Sequence, residues 1–191
     1  FSLLSGQQEA GVSLMLLVRA MDEGPLIAQA PLAIEPTDTI TTLTESLIEL
    51  SFHALAEVLP EYLKGVVTPA PQESVTLAAS LTPTYSRKLT KSDAVLEFTK
   101  PAEVLEREIR AFIEWPKSKT HIAGVDVIIT KAHVIENKSA NDQPVGKTIL
   151  LDNKQLGIIT ANGILAIDEL KPAGKKAMTS EAFLNGYGQN L

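Results

Sequence analysis

The spacing of apolar residues changes once along this chain, and that change constrains the fold more than any other feature. Within 40–59, apolar side chains recur every three or four residues, which is the period of an amphipathic helix. From residue 119 onward they recur at every second residue, which is typical of strands. Proline and small polar residues fill 66–84, a composition typical of a stiff linker. The sequence therefore predicts an α/β domain at 1–65, a linker at 66–84 and a β-barrel domain at 85–191.

The first domain begins with two short elements and a hairpin. Residues 1–5 resemble the end of a helix that Gly6 stops. The apolar run 11–18 is typical of a buried strand, and 26–34 continues in extended form after a turn that contains Gly24 and Pro25. The segment 38–59 predicts a helix that Thr37 or Asp38 caps and that Pro60 and Gly65 end.

The second domain combines one helix with several short strands. Leu105, Ile109 and Phe112 share one face of a helix predicted at 101–114, with Pro101 in its first turn. Strands are predicted around Val125–Ile129 and at 147–151, 156–160 and 164–168, and a closing helix at 179–186. Turn residues at 137–144, 152–153 and 162–163 separate them. We expect an open Greek-key barrel of the oligonucleotide-binding type.

Composition excludes several classes of protein. There is no cysteine, so a disulfide framework and a thiolate metal site are excluded. Apolar residues make up 45% of the chain, which is too many for a disordered protein. No apolar run reaches the ~18 residues of a membrane-spanning helix, and we expect no signal peptide. Because the chain starts at Phe1, we expect that the polypeptide began earlier; we also expect a cytoplasmic monomer.

Charge divides the chain at about the same place as the apolar period. Residues 1–83 hold ten acids and two bases, a net charge of −8, whereas 84–191 have a net charge of +2. Such asymmetry is a weak indication of a module that faces nucleic acid, and ordinary solvated surface explains it equally well. Trp115 has two possible roles: its ring is a platform on which RNA bases stack, or it closes the helix and packs against the barrel. We favour the second role.

Few residues offer catalytic chemistry. His53, His121 and His133 lie apart in the sequence, and without an orienting partner each is more simply a structural or surface residue. We predict no metal site. Asp22 differs, because it follows an apolar strand in a tight turn, which is where α/β proteins place reactive groups. An Asp in a turn before Gly is also commonplace, so this pattern alone is weak.

A wider motif surrounds Asp22. The run Gly-Val-Ser-Leu-Met at 11–15, followed after six residues by Asp-Glu-Gly-Pro at 22–25, resembles the active-site signature of the folate-dependent formyltransferases. Ser13 stands where the signature has Thr, and Met21 where it has Leu. The resemblance implies that 1–65 are part of a Rossmann-like formyltransferase domain and that Asp22 is the catalytic Asp of this family.

Three later motifs narrow the resemblance to the methionyl-tRNA formyltransferases. They are Thr-Tyr-Ser-Arg-Lys-Leu-Thr-Lys-Ser-Asp-Ala at 84–94, Arg-Ala-Phe-Ile-Glu-Trp-Pro at 110–116, and Leu-Lys-Pro-Ala-Gly-Lys-Lys-Ala-Met at 170–178. The four motifs occur in family order, and the resemblance covers essentially the whole chain. The resemblance implies that the C-terminal domain binds tRNA. The basic residues that we expect to contact it are Arg87, Lys88, Lys91, Lys171, Lys175 and Lys176.

The resemblance also implies a reaction and shows what this polypeptide lacks. The family transfers a formyl group from 10-formyltetrahydrofolate to the amine of methionyl initiator tRNA, using an Asn, a His and an Asp. The Asn and His belong to an Asn-x-His motif before the Asp, yet none of residues 1–21 is Asn or His. We therefore expect a C-terminal part of the enzyme, inactive alone, whose folate-binding residues cannot be assigned. The alternative is a stand-alone RNA-binding barrel, which would leave the Asp22 motif unexplained.

Overall fold

The computed structural model describes residues 1–74, 84–136, 143–151 and 154–190, and it divides into two compact units. The first unit is Gln7–Arg87 together with Ser2, and the second is Lys88–Leu191 together with Phe1 and Leu3–Gly6. The short helix α1, Ser2–Ser5, ends at Gly6 with a φ of 67°, as the sequence predicts. Its buried Leu3 is grouped with the second unit and Ser2 with the first, and the predicted first domain of 1–65 stays a prediction.

An antiparallel hairpin forms the centre of the first unit. Strand β1, Glu9–Met15, pairs with β2, Leu26–Ala33, which confirms the predicted hairpin. The backbones approach closely at Gly11, where a Cβ would lie 2.8 Å from the carbonyl oxygen of Ala30. The predicted burial of the first strand is wrong, because β1 alternates between exposed and half-buried residues and Leu17 beyond its end is 95% exposed. Since the described pairing is antiparallel, the Rossmann-like assignment stays a prediction.

The long helix α2, Ile40–Leu63, packs against both strands of this hairpin. Its N-cap is Thr39, not the predicted Thr37 or Asp38, because the Thr39 hydroxyl accepts from the Thr42 N–H while Thr42 Oγ1 accepts from the Thr39 N–H. Asp38 instead accepts from the Thr42 hydroxyl. Pro60 does not end the helix as predicted; it lies within the last turn, and the helix ends before Lys64.

One face of α2 has no protein covering it within the described part of the first unit. The predicted apolar face, which includes Leu43 and Leu47, turns toward the hairpin and is buried or half-buried apart from Leu59. A second apolar stripe, which the sequence analysis did not identify, is exposed along the same helix. Its members are Ile48, Phe52, Leu55, Leu59 and Leu63.

The first part of the predicted linker belongs to the first unit. Ala70 and Leu26 form a pair of backbone hydrogen bonds, Leu26 N–H to Ala70 O at 2.7 Å and Ala70 N–H to Leu26 O at 2.8 Å. This pairing continues the ladder of β2, so residues 66–74 are structured and a linker beginning at residue 66 is wrong. Proline content suggested a spacer because composition cannot show a pairing with a strand over forty residues away. The rest of the predicted linker, 75–83, lies outside the described residues.

A curled antiparallel sheet builds the second unit. Among the described residues its strand order is β3-β4-β7-β6-β5, with β8 also paired to β7. The strands are β3 Ser118–Ile122, β4 Val125–Ile135, β5 Thr148–Leu150, β6 Leu156–Ile159, β7 Ile164–Pro172 and β8 Met178–Thr179. The predicted strands and their alternation are confirmed, since Val127 and Ile129 are buried and Asp126 is exposed. The oligonucleotide-binding label stays a prediction.

Two helices cover the core of this sheet. Helix α3, Ala102–Phe112, presents Leu105, Ile109 and Phe112 to the core with 3% exposure or less, as predicted. Helix α4, Ser180–Tyr187, adds the fully buried Phe183. The turn at Asn162-Gly163 joins β6 to β7, with Gly163 at a φ of 80°. The predicted turns at 137–142 and 152–153 lie outside the described residues. In the described ranges no helix has both the length and the apolar character needed to cross a bilayer.

Candidate functional site

Asp22 lies at the exposed tip of the loop that connects β1 to β2. Its backbone has a φ of 58°, a left-handed conformation that Asp and Asn adopt more readily than most residues. Within the described part of the chain no donor is hydrogen-bonded to its carboxylate. The turn therefore presents a free carboxylate to solvent at the end of a strand. Its exposed position is what the sequence analysis expected, and its catalytic role stays a prediction.

Two residues fix the backbone around this carboxylate. Gly24 is buried, and a Cβ at this position would lie 1.7 Å from the carbonyl oxygen of Leu16, so only glycine fits. The side-chain amide of Gln72 donates to the carbonyl oxygens of Asp22 and Gly24, each at 2.8 Å. The sequence did not predict a role for Gln72, because this residue lies fifty residues from Asp22 in a segment with the composition of a linker. A pattern in the local sequence cannot indicate a contact between residues so far apart in the chain.

Gln72→Ala should loosen the turn without unfolding the unit. The substitution removes two hydrogen bonds to main-chain carbonyls, and we expect the free energy of local opening around residues 16–26 to fall by about 1–2 kcal/mol. Amide hydrogen exchange measures the change at Leu16, whose N–H donates to the Pro25 carbonyl across the loop, and at Leu26, whose N–H donates to the Ala70 carbonyl. The control is Gln29→Ala, which removes only an exposed bond to the Ser13 hydroxyl. Equal protection in both variants would show that Gln72 does not hold the turn.

The three histidines are far from Asp22 in the sequence, and each has a carboxylate partner other than Asp22. His53 lies on α2 with its Nε2 3.8 Å from Glu49 Oε1. In the second unit, His121 pairs with Asp126 at 3.0 Å and His133 with Asp168 at 2.9 Å, both through Nδ1. Across the described ranges, no three His, Asp or Glu residues are grouped so that they could hold a metal ion. Among the described residues, none of the three histidines forms a hydrogen bond with the Asp22 carboxylate.

The first group of predicted tRNA contacts precedes the sheet of the second unit. Lys91 is exposed at the start of a 3-10 turn, Lys91–Ala94, where the backbone N–H and the hydroxyl of Thr90 both donate to Oδ2 of Asp93. Arg87 and Lys88 come just before it, one on each side of the division between the two units. The segment then joins the sheet, because Val95 bridges Lys119 in parallel and the Leu96 N–H donates to the Lys119 carbonyl at 3.0 Å.

The second predicted group lies at the end of β7 and in the turn after it. Lys171 is exposed on the strand, and Lys175 and Lys176 are exposed in the turn, where Gly174 has a φ of 71°. The sheet register adds a lysine that the sequence analysis missed: Lys119 opposes Ile128, and Ile128 opposes Lys171. Lys119 belongs to none of the four motifs, so only strand pairing reveals that it is a neighbour of Lys171.

Trp115 is not packed as we expected. Its side chain is 51% exposed, while the following Pro116 is buried. Helix α3 ends at Phe112, so the chain has already left the helix when it reaches Trp115 and the indole lies outside the core. The favoured interpretation of a packed helix end is therefore wrong.

Comparison with known families assigns both parts of the chain. Residues 88–188 match the model described as formyl transferase, C-terminal domain, and residues 1–59 match the model described as formyl transferase. The first match alone covers more than half of the chain. The chain belongs to the formyltransferase family.

Individual relatives are longer than this chain. It is 33% identical over 193 residues to a methionyl-tRNA formyltransferase of Streptococcus suis, and 32% identical over 185 residues to one of Roseiflexus sp.. These matches cover 100% and 97% of this chain, but only 58% and 54% of the relatives. The chain thus spans about half the length of the curated relatives that it matches.

A solved structure shows the same fold at low identity. HypX from Aquifex aeolicus, crystallised in complex with tetrahydrofolic acid, matches with a TM-score of 0.65 and 16% identity. The match covers 97% of this chain and 32% of that chain. At this identity the likeness supports the fold alone.

Proposed function

We propose that this chain serves in the transfer of a formyl group from 10-formyltetrahydrofolate to the amine of methionyl initiator tRNA. The observation that carries the proposal is the exposed Asp22 carboxylate, fixed by Gly24 and Gln72 in a chain whose two parts both match formyltransferase models. The relatives at 32–33% identity are methionyl-tRNA formyltransferases, which supports the same acceptor here. A stand-alone RNA-binding barrel would leave the match at residues 1–59 without a cause.

The chemistry requires a base and an oxyanion site. The amine nitrogen forms a bond to the formyl carbon, and the bond from that carbon to the folate nitrogen breaks. The proton that the attacking amine loses ends on the released folate nitrogen. Negative charge grows on the formyl oxygen during the attack, and fixed hydrogen-bond donors stabilise it. By resemblance, those donors are the Asn and His of the family. We propose that Asp22 orients the imidazole or a water molecule and stabilises its charged form.

We propose that this 191-residue polypeptide alone does not catalyse the transfer. Residues 1–21 contain neither Asn nor His, and each missing donor should cost on the order of 10²–10³ in rate. The relatives carry further residues outside the match, and the exposed apolar stripe of α2 is a surface that such residues could cover. The same proposal places the reaction in the cytoplasm.

Complementation tests this proposal directly. The chain is mixed with a polypeptide made of the part of the Streptococcus suis relative that lies outside the match, and formyl transfer from 10-formyltetrahydrofolate to methionyl initiator tRNA is measured. We expect no turnover from either polypeptide alone and turnover from the mixture. A matched mixture with Phe52→Asp, on the exposed stripe of α2, should lose the gain because it places a charge in the expected contact.

Two results would contradict the proposal. Turnover by the chain alone would show that Asn and His are not required. A complemented mixture that formylates another amine but leaves methionyl-tRNA unchanged would show that the acceptor is different. Glu57→Gln serves as the control for surface changes on α2, because Glu57 is exposed and lies about 140° around the helix axis from Phe52.

A further inference from the structure

A groove of about 620 Å³ lies on the outer face of the sheet in the second unit. Its floor is formed by β3, β4 and the end of β7, and its walls are Val95 on one side and the turn at Ala173-Gly174 on the other. This volume is within the range of small-molecule sites, which run from roughly 300 to 1,000 Å³. The groove is distinct from the Asp22 turn, which lies in the other unit.

Two lysines stand across the groove from each other. Lys119 on β3 and Lys171 on β7 both oppose Ile128, so they occupy the same face of the sheet with one strand between them. Neighbouring strands lie ~4.8 Å apart, which places the two Cα atoms roughly 10 Å apart. Side chains of this length reach to a common point from both sides. Within the described ranges neither ammonium group is paired with a carboxylate.

The one carboxylate of the groove already has a partner. Asp126 Oδ1 lies 3.0 Å from Nδ1 of His121, which also lines the groove. The two unpaired lysines therefore set the sign of the charge that the groove attracts. An anion placed between Lys119 and Lys171 would meet two ammonium groups, which suits a phosphodiester.

Between the lysines the floor is apolar and open. Ile128 is half-buried, Val95 is 58% exposed, and Pro172 lines the end of the strand. Gly174 adds no side chain, and nothing lies within 4 Å of the position that its Cβ would occupy. A flat ring can therefore enter from that side. An acidic peptide would use the lysines but leave this floor in water, whereas a nucleotide uses both.

We propose that this groove binds one nucleotide of the acceptor RNA, with its phosphate between Lys119 and Lys171 and its base over Val95 and Ile128. The proposal deepens the proposed function and rests on it, since that function supplies the RNA. It makes Lys119 a contact that no motif marks, and it assigns Lys171 a specific phosphate. The remaining lysines of the β7–β8 turn, Lys175 and Lys176, lie beyond the groove lining.

Salt dependence tests the phosphate contact. The double variant Lys119→Gln/Lys171→Gln should bind tRNA several-fold more weakly at low salt. Its plot of log affinity against log salt should be shallower by about 0.7, since the two lysines share one phosphate and a single-strand phosphate contact contributes ~0.7. The control is Lys131→Gln/Lys154→Gln, which removes the same charge from exposed lysines outside the groove. Equal slopes in the two double variants would overturn the phosphate contact.

A short RNA tests the base contact. We expect a single-stranded trinucleotide to shift the amide resonances of Val95, Lys119 and Gly174, and Val95→Ser to weaken its binding several-fold. The same substitution should not change binding of an abasic trinucleotide, because that probe has no ring to lie on the floor. Oligoglutamate that displaces the trinucleotide from the groove at equal concentration would indicate a site for acidic protein and overturn the proposal.

The outcomes separate this proposal from the proposed function. If the chain binds tRNA but the groove variants behave like the control, the groove is not the site and the formyl-transfer proposal is untouched. If the trinucleotide binds in the groove while the complemented mixture does not formylate methionyl-tRNA, nucleotide binding by the groove is supported and the proposed function is wrong. If the chain binds neither tRNA nor the trinucleotide, the proposal that the groove binds a nucleotide is wrong.

Discussion

Asp22→Asn should lower kcat/KM of the complemented mixture for methionyl-tRNA by about 10³-fold, because the carboxylate charge that stabilises a charged imidazole or water is lost. Asn keeps the shape of the side chain and tolerates the left-handed backbone at this position, where φ is 58°. The fold of the turn is therefore retained, and the loss reports on charge. Steady-state kinetics with both substrates varied separates a fall in kcat from a rise in KM.

The neighbouring acid provides the control for Asp22→Asn. Glu23→Gln removes the same charge from an exposed residue one position further along the same loop. We expect it to change kcat/KM by less than about threefold, since a surface carboxylate acts only through screened, long-range attraction. Similar losses in the two variants would mean that the loop contributes general electrostatics and that Asp22 has no specific role.

Gly24→Ala is expected to disrupt the loop that carries Asp22. The new Cβ would lie 1.7 Å from the carbonyl oxygen of Leu16, and both atoms belong to backbone that cannot rotate away. One of the two chain segments must move, which we expect to destabilise the hairpin by about 3 kcal/mol. Hydrogen exchange across β1 and β2 measures this, and formyl transfer by the complemented mixture should fall with it.

A glycine elsewhere in the chain provides the matched control. Gly186 lies in α4 with nothing within 4 Å of a Cβ at its position, so Gly186→Ala should stabilise the helix by roughly 0.5–1 kcal/mol. Wild-type protection of the β1–β2 amides in the Gly24→Ala variant would show that the loop can relax around the added methyl group. In that case the buried glycine would not be what fixes Asp22.

Local patterns were sufficient where the interacting residues are near in sequence. Helix α3 was predictable because Leu105, Ile109 and Phe112 face one core, and the β6–β7 hairpin because Asn162-Gly163 has a strong turn preference. The alternation along β4 also follows from period two alone. Each of these signals is complete within about a dozen residues.

The misses come from contacts between distant residues. Pro60 was expected to end α2, yet the helix continues to Leu63. The proline removes one main-chain hydrogen bond to the preceding turn, and packing of the helix against the hairpin, which the local sequence does not reveal, offsets that loss. Residues 66–74 were assigned to a linker because nothing in their composition reveals the pairing of Ala70 with Leu26. Gln72 at the Asp22 turn and Lys119 beside Lys171 were missed for the same reason: strand register and tertiary contacts bring them together.

The cross-strand row Lys119, Ile128 and Lys171 has a consequence for folding accuracy. Side chains alternate along a strand, so a slip of β4 against its neighbours by one residue would send Asp126 and Ile128 to the opposite face. A slip of β3 or β7 would bury an ammonium group, at a cost of several kcal/mol. The two lysines that we propose as RNA contacts therefore also disfavour a sheet whose strands pair in the wrong register. A molecule that binds RNA through both lysines must have the correct strand pairing.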